Sequence, residues 1–181
     1  SLIVSKFGDK TLDVLENQPE LLAEIKGIGL SKAKQISKSF RQQAGVRRLM
    51  EFVCSFGLRP ILAMRMYRFY GEEALRILQD NPYILAASHV GGSFAEADKM
   101  ALEMGLDAYS KNRIEAAVIF ELVHNSGNGH CFIPKEKLKM ATATLIGTEP
   151  EDIDTGIDTL IGDGRLVFER VAGCDACYLP R

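Results

Sequence analysis

Residues 6–36 and 68–100 run in parallel, and a repeat of that length means two copies of one supersecondary unit. The segments read "KFGDKTLDVLENQPELLAEIKGIGLSKAKQI" and "RFYGEEALRILQDNPYILAASHVGGSFAEADKM". Gly8 pairs with Gly71, Leu12 with Leu75, Leu15 with Leu78, Pro19 with Pro82 and Leu22 with Leu85. After a one-residue shift, Gly27 pairs with Gly91, Ala33 with Ala97 and Ile36 with Met100. Each copy reads as a helix after a glycine, a proline-started helix, a glycine turn and a further helix. Leu12, Leu15, Leu22 and Ile25 carry the spacing of buried faces.

Between the copies, "GVRRLMEFVCSFGLRPILAMRMYRFYG" reads as two amphipathic helices broken at "GLRP". Leu49, Phe52, Val53 and Phe56 form one apolar face, and Ile61, Leu62, Met66 and Phe69 another. Near residue 110 the pattern changes. "NRIEAAVIFELVHNSG" is helical with Ile114, Ala117, Val118 and Leu122 inward, "NGHCFIP" turns into a short extended run, and "KEKLKMATATLIG" is helical again. "TEPEDIDTGIDTLIGDG" reads as a third helix, with Thr148 and Glu151 as a capping box and Asp163-Gly164 as its stop. "RLVFERV" and "ACYLP" alternate like the strands of a hairpin around "AGCD". This order is that of a winged helix, a fold that carries DNA in some proteins and docks protein in others. The fold expected is mainly α. A tandem helix-hairpin-helix region (units 1–44 and 45–109) leads into a small winged-helix domain at 110–181.

The turn "GIGLSKAKQI" is the strongest functional candidate. The first N–H groups of a helix lack intrahelical partners, and the helix dipole makes that end positive, so it can hold an anion such as a phosphate. Gly27 and Gly29 permit a tight turn and close approach of a sugar-phosphate backbone. Ile28 pins the turn to the core. Ala33, Ile36, Phe40 and Ala44 then share one helical face, while Lys34, Lys38 and Arg41 share another. With Lys26 and Lys32 these residues suit backbone contact without sequence preference. Net charge is only −2, but no acid lies between Glu24 and Glu51, a stretch with seven Lys and Arg. From Thr148 onward acids dominate, so one face suits phosphate and another solvent or protein. A solvated basic helix is the bland alternative.

These residues carry a resemblance. "IKGIGLSKAKQI" resembles a helix-hairpin-helix motif. The ordered set also includes "NPYIL", "ADKMA", "GHCFIP" and "YLP", and it resembles the amino-terminal region of RecD-like helicases of the RecD/TraA class, or exodeoxyribonuclease V alpha subunits. The resemblance covers nearly all of the chain. It implies a parent that unwinds DNA with ATP in the 5′ to 3′ direction in recombination and repair, with ATP and magnesium held by motor domains beyond Arg181. No G-x-x-x-x-G-K-[ST] run occurs here, so the chain itself is expected to be non-catalytic and cofactor-free. Its expected partners are DNA and the motor domains of the same polypeptide; the alternative is a protein–protein scaffold without DNA contact.

The second copy departs from the motif. Ser93 stands where the second glycine is expected, and Glu96 and Asp98 align with Lys32 and Lys34. A carboxylate beside a phosphate is repulsive, so this copy is expected to pack against protein, with Asp98 bonding backbone or a basic partner.

Other constellations are weaker. "CDAC" holds two cysteines expected to straddle a hairpin tip, and zinc would need two further ligands, with His130 and Cys131 as a nearby pair. His89 and His124 are isolated, and "SGNGH" reads as a turn. A helix-hairpin-helix glycosylase would need an aspartate beside an aromatic-lined base pocket, whereas Asp98 lies within a repeat helix and Trp is absent. No apolar run approaches the roughly 18 residues of a membrane span. No signal peptide is visible, and four cysteines do not make a disulfide framework, so a cytoplasmic location is expected. The start without Met is expected of a fragment.

Overall fold

The computed structural model describes residues 2–129 and 131–180, so His130 lies outside the described residues. The protein is mainly α-helical and closes on a small antiparallel sheet. It divides into two compact units, residues 1–77 and 78–181. Among the described residues, no helix is long and apolar enough to cross a membrane.

In the first unit, α1 (Leu2–Phe7) and a 3-10 turn (Gly8–Lys10) lead into α2 (Thr11–Asn17) and α3 (Pro19–Leu22). Gly8 takes φ +50°, and Thr11 Oγ1 donates to its carbonyl at 2.6 Å. Pro19 opens α3 at its first position, where a missing N–H costs nothing. Val14, Leu22 and Ala33 form the core, with Phe7, Ile28 and Ile36 packed against it. Ser37 is fully buried and donates from Oγ to Leu15 O at 2.6 Å, fastening α4 (Leu30–Ser55) to α2.

That helix is continuous from Leu30 to Ser55. Gly45 does not break it. A Cβ there would stand 3.0 Å from the Tyr67 ring of α5 (Pro60–Tyr70), so the glycine serves close helix packing. Leu49 and Val53 of α4 and Leu62, Ala63 and Met66 of α5 are buried. Three residues expected in the core are not there: Leu12, Ile61 and Phe69 are 64%, 39% and 54% exposed. Their faces are amphipathic at the margin, and the neighbouring Val14, Leu62 and Ala63 fill the interior instead.

The helix α6 (Ala74–Asp80) carries the chain into the second unit. A 3-10 segment, Pro82–Ala86, then leads through a glycine turn to α7 (Phe94–Glu103). The winged-helix order follows: α8 (Lys111–Gly127), β1 (Ile133–Pro134), α9 (Lys135–Ile146), α10 (Pro150–Gly162), β2 (Val167–Val171) and β3 (Cys174–Tyr178). The sheet order is β1-β3-β2, all antiparallel, with Ile133 opposite Cys177 and Val171 opposite Cys174. Ile114, Ala117, Val118 and Leu122 of α8 are buried, as their spacing requires. Ile153, Ile157 and Leu160 of α10 join them. A Cβ on Gly156 would stand 2.4 Å from Ile114 Cγ2, so only glycine allows α10 this approach to α8.

Two local expectations are corrected. Thr148 does not cap α10: Pro150 fixes the first helical position, which makes Glu149 the N-cap and leaves the Thr148 hydroxyl buried without a hydrogen bond. The cysteines do not straddle the hairpin tip, because the two-residue turn is Ala172-Gly173, at φ +49° and +81°, and both Cys174 and Cys177 lie on β3.

Candidate nucleic-acid interface

The two hairpin turns have nearly the same backbone. Gly27 has φ +93° and Gly91 φ +77°, values that favour glycine. The residues two further on are both N-caps: Gly29 at φ −75°, ψ 162° and Ser93 at φ −89°, ψ 160°. That conformation is open to any residue, so Gly29, unlike Gly27, is not required by the turn. Its effect is to leave the helix start uncovered, since a Cβ there would meet nothing within 4 Å.

The helix starts differ in chemistry. At Gly29 no side chain caps α4, and its first-turn amides keep their capacity to hold an anion. At Ser93 the side chain accepts from Glu96 N at 3.1 Å, while the Glu96 carboxylate accepts from Ser93 N at 2.8 Å. This capping box takes the amides of Ser93 and Glu96 internally. The sequence carried the signal as "SFAE", an S-x-x-E pattern, although Ser93 reads first as a lost glycine.

Around the first turn, Lys26, Gly27, Gly29, Lys32, Lys34, Lys38 and Arg41 are all exposed, and Ile28 is half-buried against the core. Among the described residues none of these five cations is in an ion pair. Arg48, farther along α4, pairs with Glu16, and Lys6 holds Glu24 at 3.2 Å. Lys34, Lys38 and Arg41 lie at i, i+4 and i+7 on one stripe. Lys32 is two residues from Lys34 and so on the far side of the helix.

In the second copy Asp98 meets a basic partner. Its carboxylate takes a two-point contact from Arg113 of α8, Nε to Oδ1 at 2.8 Å and Nη2 to Oδ2 at 3.0 Å. Tyr83 Oη donates to Oδ1 at 2.6 Å. Arg113 Nη1 donates to the carbonyls of Ala108 and Ile146, each at 3.0 Å. The side chains are 17% and 8% exposed, so the pair is largely withdrawn from water. Burial pushes the Asp98 carboxyl up, but hydrogen bonds from Arg113 and Tyr83 and the guanidinium charge hold it below its ordinary value of 3.8. Burial, then the hydrogen bond to Asp98, pushes the Tyr83 phenol well above 10.0. The second hairpin is thus clamped to the winged helix, through an arginine that nothing in its local sequence singles out.

Within the winged helix, α10 presents acid. Glu151, Asp152 and Asp158 of α10 are exposed, and Asp154 is held by Lys139 at 2.8 Å and Lys135 at 3.7 Å. Among the described residues no group of three His, Cys, Asp or Glu side chains is placed to hold a metal. Cys177 is buried, and burial pushes its thiol up to about 11.

Comparison with known proteins places this geometry. The model of the ATP-dependent RecD2 DNA helicase HHH domain matches residues 42–132, which includes the second hairpin and α8 and leaves Lys26 to Arg41 outside. The ATP-dependent RecD2 DNA helicase of Deinococcus radiodurans is 27% identical over 165 residues, covering 91% of this chain and 23% of the relative. The chain therefore spans about a quarter of that relative's length. A repeat of two hairpin turns, one clamped to a winged helix, and a family match over half the residues lead to one conclusion: the chain belongs to the RecD2 DNA helicase helix-hairpin-helix family.

Proposed function

We propose that the chain is a non-catalytic DNA-binding region of an ATP-dependent 5′ to 3′ DNA helicase, acting in the cytoplasm in recombination and repair. Its first hairpin meets the DNA backbone without sequence preference. Lys26, Lys32, Lys34, Lys38 and Arg41 supply charge, and the turn Gly27–Ile28–Gly29 supplies the uncapped helix start. The observation that carries this reading is the contrast at matched positions: an open, cation-flanked helix start against one closed by its own capping box. ATP and magnesium belong to the motor domains of the parent, since this chain has no phosphate loop.

The test is fluorescence anisotropy of the 181-residue chain with duplex and single-stranded oligonucleotides of random sequence. Affinity is expected to be weak, sequence-independent and steeply salt-dependent, falling about 0.9 log units per log salt for each duplex phosphate contacted. Absence of binding, or binding indifferent to salt, would overturn the reading. A second reading, a scaffold with no DNA contact, is favoured by two observations: the Asp98–Arg113 clamp and the family match over the acidic hairpin.

A further inference from the structure

The stripe of Lys34, Lys38 and Arg41 on α4 has a defined far end. Gly45 is the next residue on it, eleven positions from Lys34 and within about 20° of it around the helix. One turn past Arg41, about 6 Å along the axis, the Tyr67 ring of α5 lies over Gly45. A Cβ there would stand 3.0 Å from its Cε2 and 3.5 Å from its Oη. Beyond this point the face is closed, because Leu49 and Val53 are buried. Arg48, the next cation on this side, is held by Glu16. A run of three exposed cations, unpaired among the described residues, is therefore bounded by an uncapped helix start and by an aromatic ring.

The two ends suit different groups. At the helix start, amides and lysines suit phosphate. Tyr67 is half-buried, and among the described residues its ring meets no other ring or cation and its hydroxyl makes no hydrogen bond. Glu72 is exposed and, among the described residues, in no ion pair. Burial, and then the Glu72 carboxylate, push the Tyr67 phenol above 10.0, so the side chain is neutral and has a negative charge for a neighbour. That charge repels phosphate, whereas a flat uncharged group is indifferent to it. Cations that track a backbone, followed by an aromatic that takes a base, are what an unpaired strand requires. A duplex keeps its bases paired and has none to give.

We propose that this stripe seats an unpaired DNA strand, with phosphates on Lys34, Lys38 and Arg41 and one nucleobase stacked on Tyr67. The inference rests on the reading that the first hairpin holds the DNA backbone, and it adds the class of strand and a further binding residue. An acidic peptide would meet the same cations, so it serves as the competitor in the test.

The test is fluorescence anisotropy of the 181-residue chain with three probes: oligo-dT, a strand of equal length whose sugars carry no bases, and a blunt duplex. The native chain should bind oligo-dT about tenfold more tightly than the baseless strand, equivalent to roughly 1.4 kcal/mol, which is within the contribution of one stacked base. The salt slopes of these two strands should match, because the phosphate contacts are the same. Tyr67→Leu keeps an apolar side chain over Gly45 and removes the ring. It should bring oligo-dT down to the baseless strand, while unchanged affinity for that strand and for the duplex reports an intact fold. Tyr67→Phe should keep the preference. Equal native affinity for oligo-dT and the baseless strand, a preference that survives Tyr67→Leu, or displacement of oligo-dT by an equal concentration of an Asp/Phe peptide would each overturn the proposal. Salt-dependent binding of all three probes without a base preference would overturn it and leave the hairpin reading standing. Absence of any binding would overturn both.

Discussion

The two hairpins share a fold and differ in what their helix starts can still bind. Gly27 and Gly91 make the same left-handed turn, and Gly29 and Ser93 cap the next helix with nearly the same dihedrals. In the first, the cap position is bare and the third helical residue is Lys32. In the second, the cap is a serine and the third residue is Glu96, so two of the amides at that helix start are taken internally and a carboxylate stands beside it. Five residues beyond each cap, Lys34 is in water and Asp98 is locked to Arg113. A turn geometry is thus only a frame. The side chains at its cap and first turn decide whether it meets an anion or another part of its own protein.

The largest expected effect comes from breaking the clamp. Asp98→Lys leaves Arg113 buried without its partner and adds a second cation beside it. It should lower stability by about 3 kcal/mol or more in denaturant unfolding. DNA affinity should not rise. A stable Asp98→Lys chain that bound DNA more tightly would place both hairpins at the DNA.

Acid should act on the same ion pair. Because the folded pKa of Asp98 is depressed, its stabilisation is present above the ordinary value of 3.8 and is lost as pH falls through the lower folded value. The Tyr83 shift has the opposite sense: its contribution is present below 10.0 and is lost as pH rises through the raised folded value. Asp98→Asn should flatten the acid limb of a stability–pH profile and lower stability near neutrality, because Arg113 is left buried without its counter-charge. An unchanged acid limb would mean the pair contributes little.

Exchanging the caps gives a smaller effect. Ser93→Ala should cost about 1 kcal/mol of stability. Gly29→Ser with Lys32→Glu builds the second copy's capping box into the first. It should keep or slightly raise stability while weakening DNA binding, as seen by thermal unfolding beside anisotropy. Undiminished DNA affinity in that variant would show that the helix start is not used.

Much of this was legible in the sequence because it rests on backbone chemistry. Matched glycines and prolines gave the repeat, and the α8 periodicity gave a helix whose inward residues are the buried ones. What was not legible depends on tertiary partners. Nothing local shows that Gly45 serves the Tyr67 ring, and Thr148 reads as a cap until Pro150 moves the helix start. Leu12 and Phe69 look like core residues and are exposed, because neighbouring positions reach the interior first. The carboxylate at Asp98 was readable as unsuited to phosphate, but Arg113 lies fifteen residues away and is found only by folding.

The central claim is tested most directly by one exposed cation from each hairpin. Lys34 stands on the first, and Lys99, 53% exposed, on the second. The measurement is the salt slope of duplex DNA affinity for the native chain, Lys34→Glu and Lys99→Glu. Lys34→Glu should weaken binding and reduce the slope by about 0.9, the value for one phosphate no longer neutralised, while Lys99→Glu leaves both unchanged. Equal weakening in the two variants, or weakening confined to Lys99→Glu, would contradict the assignment of DNA to the first hairpin.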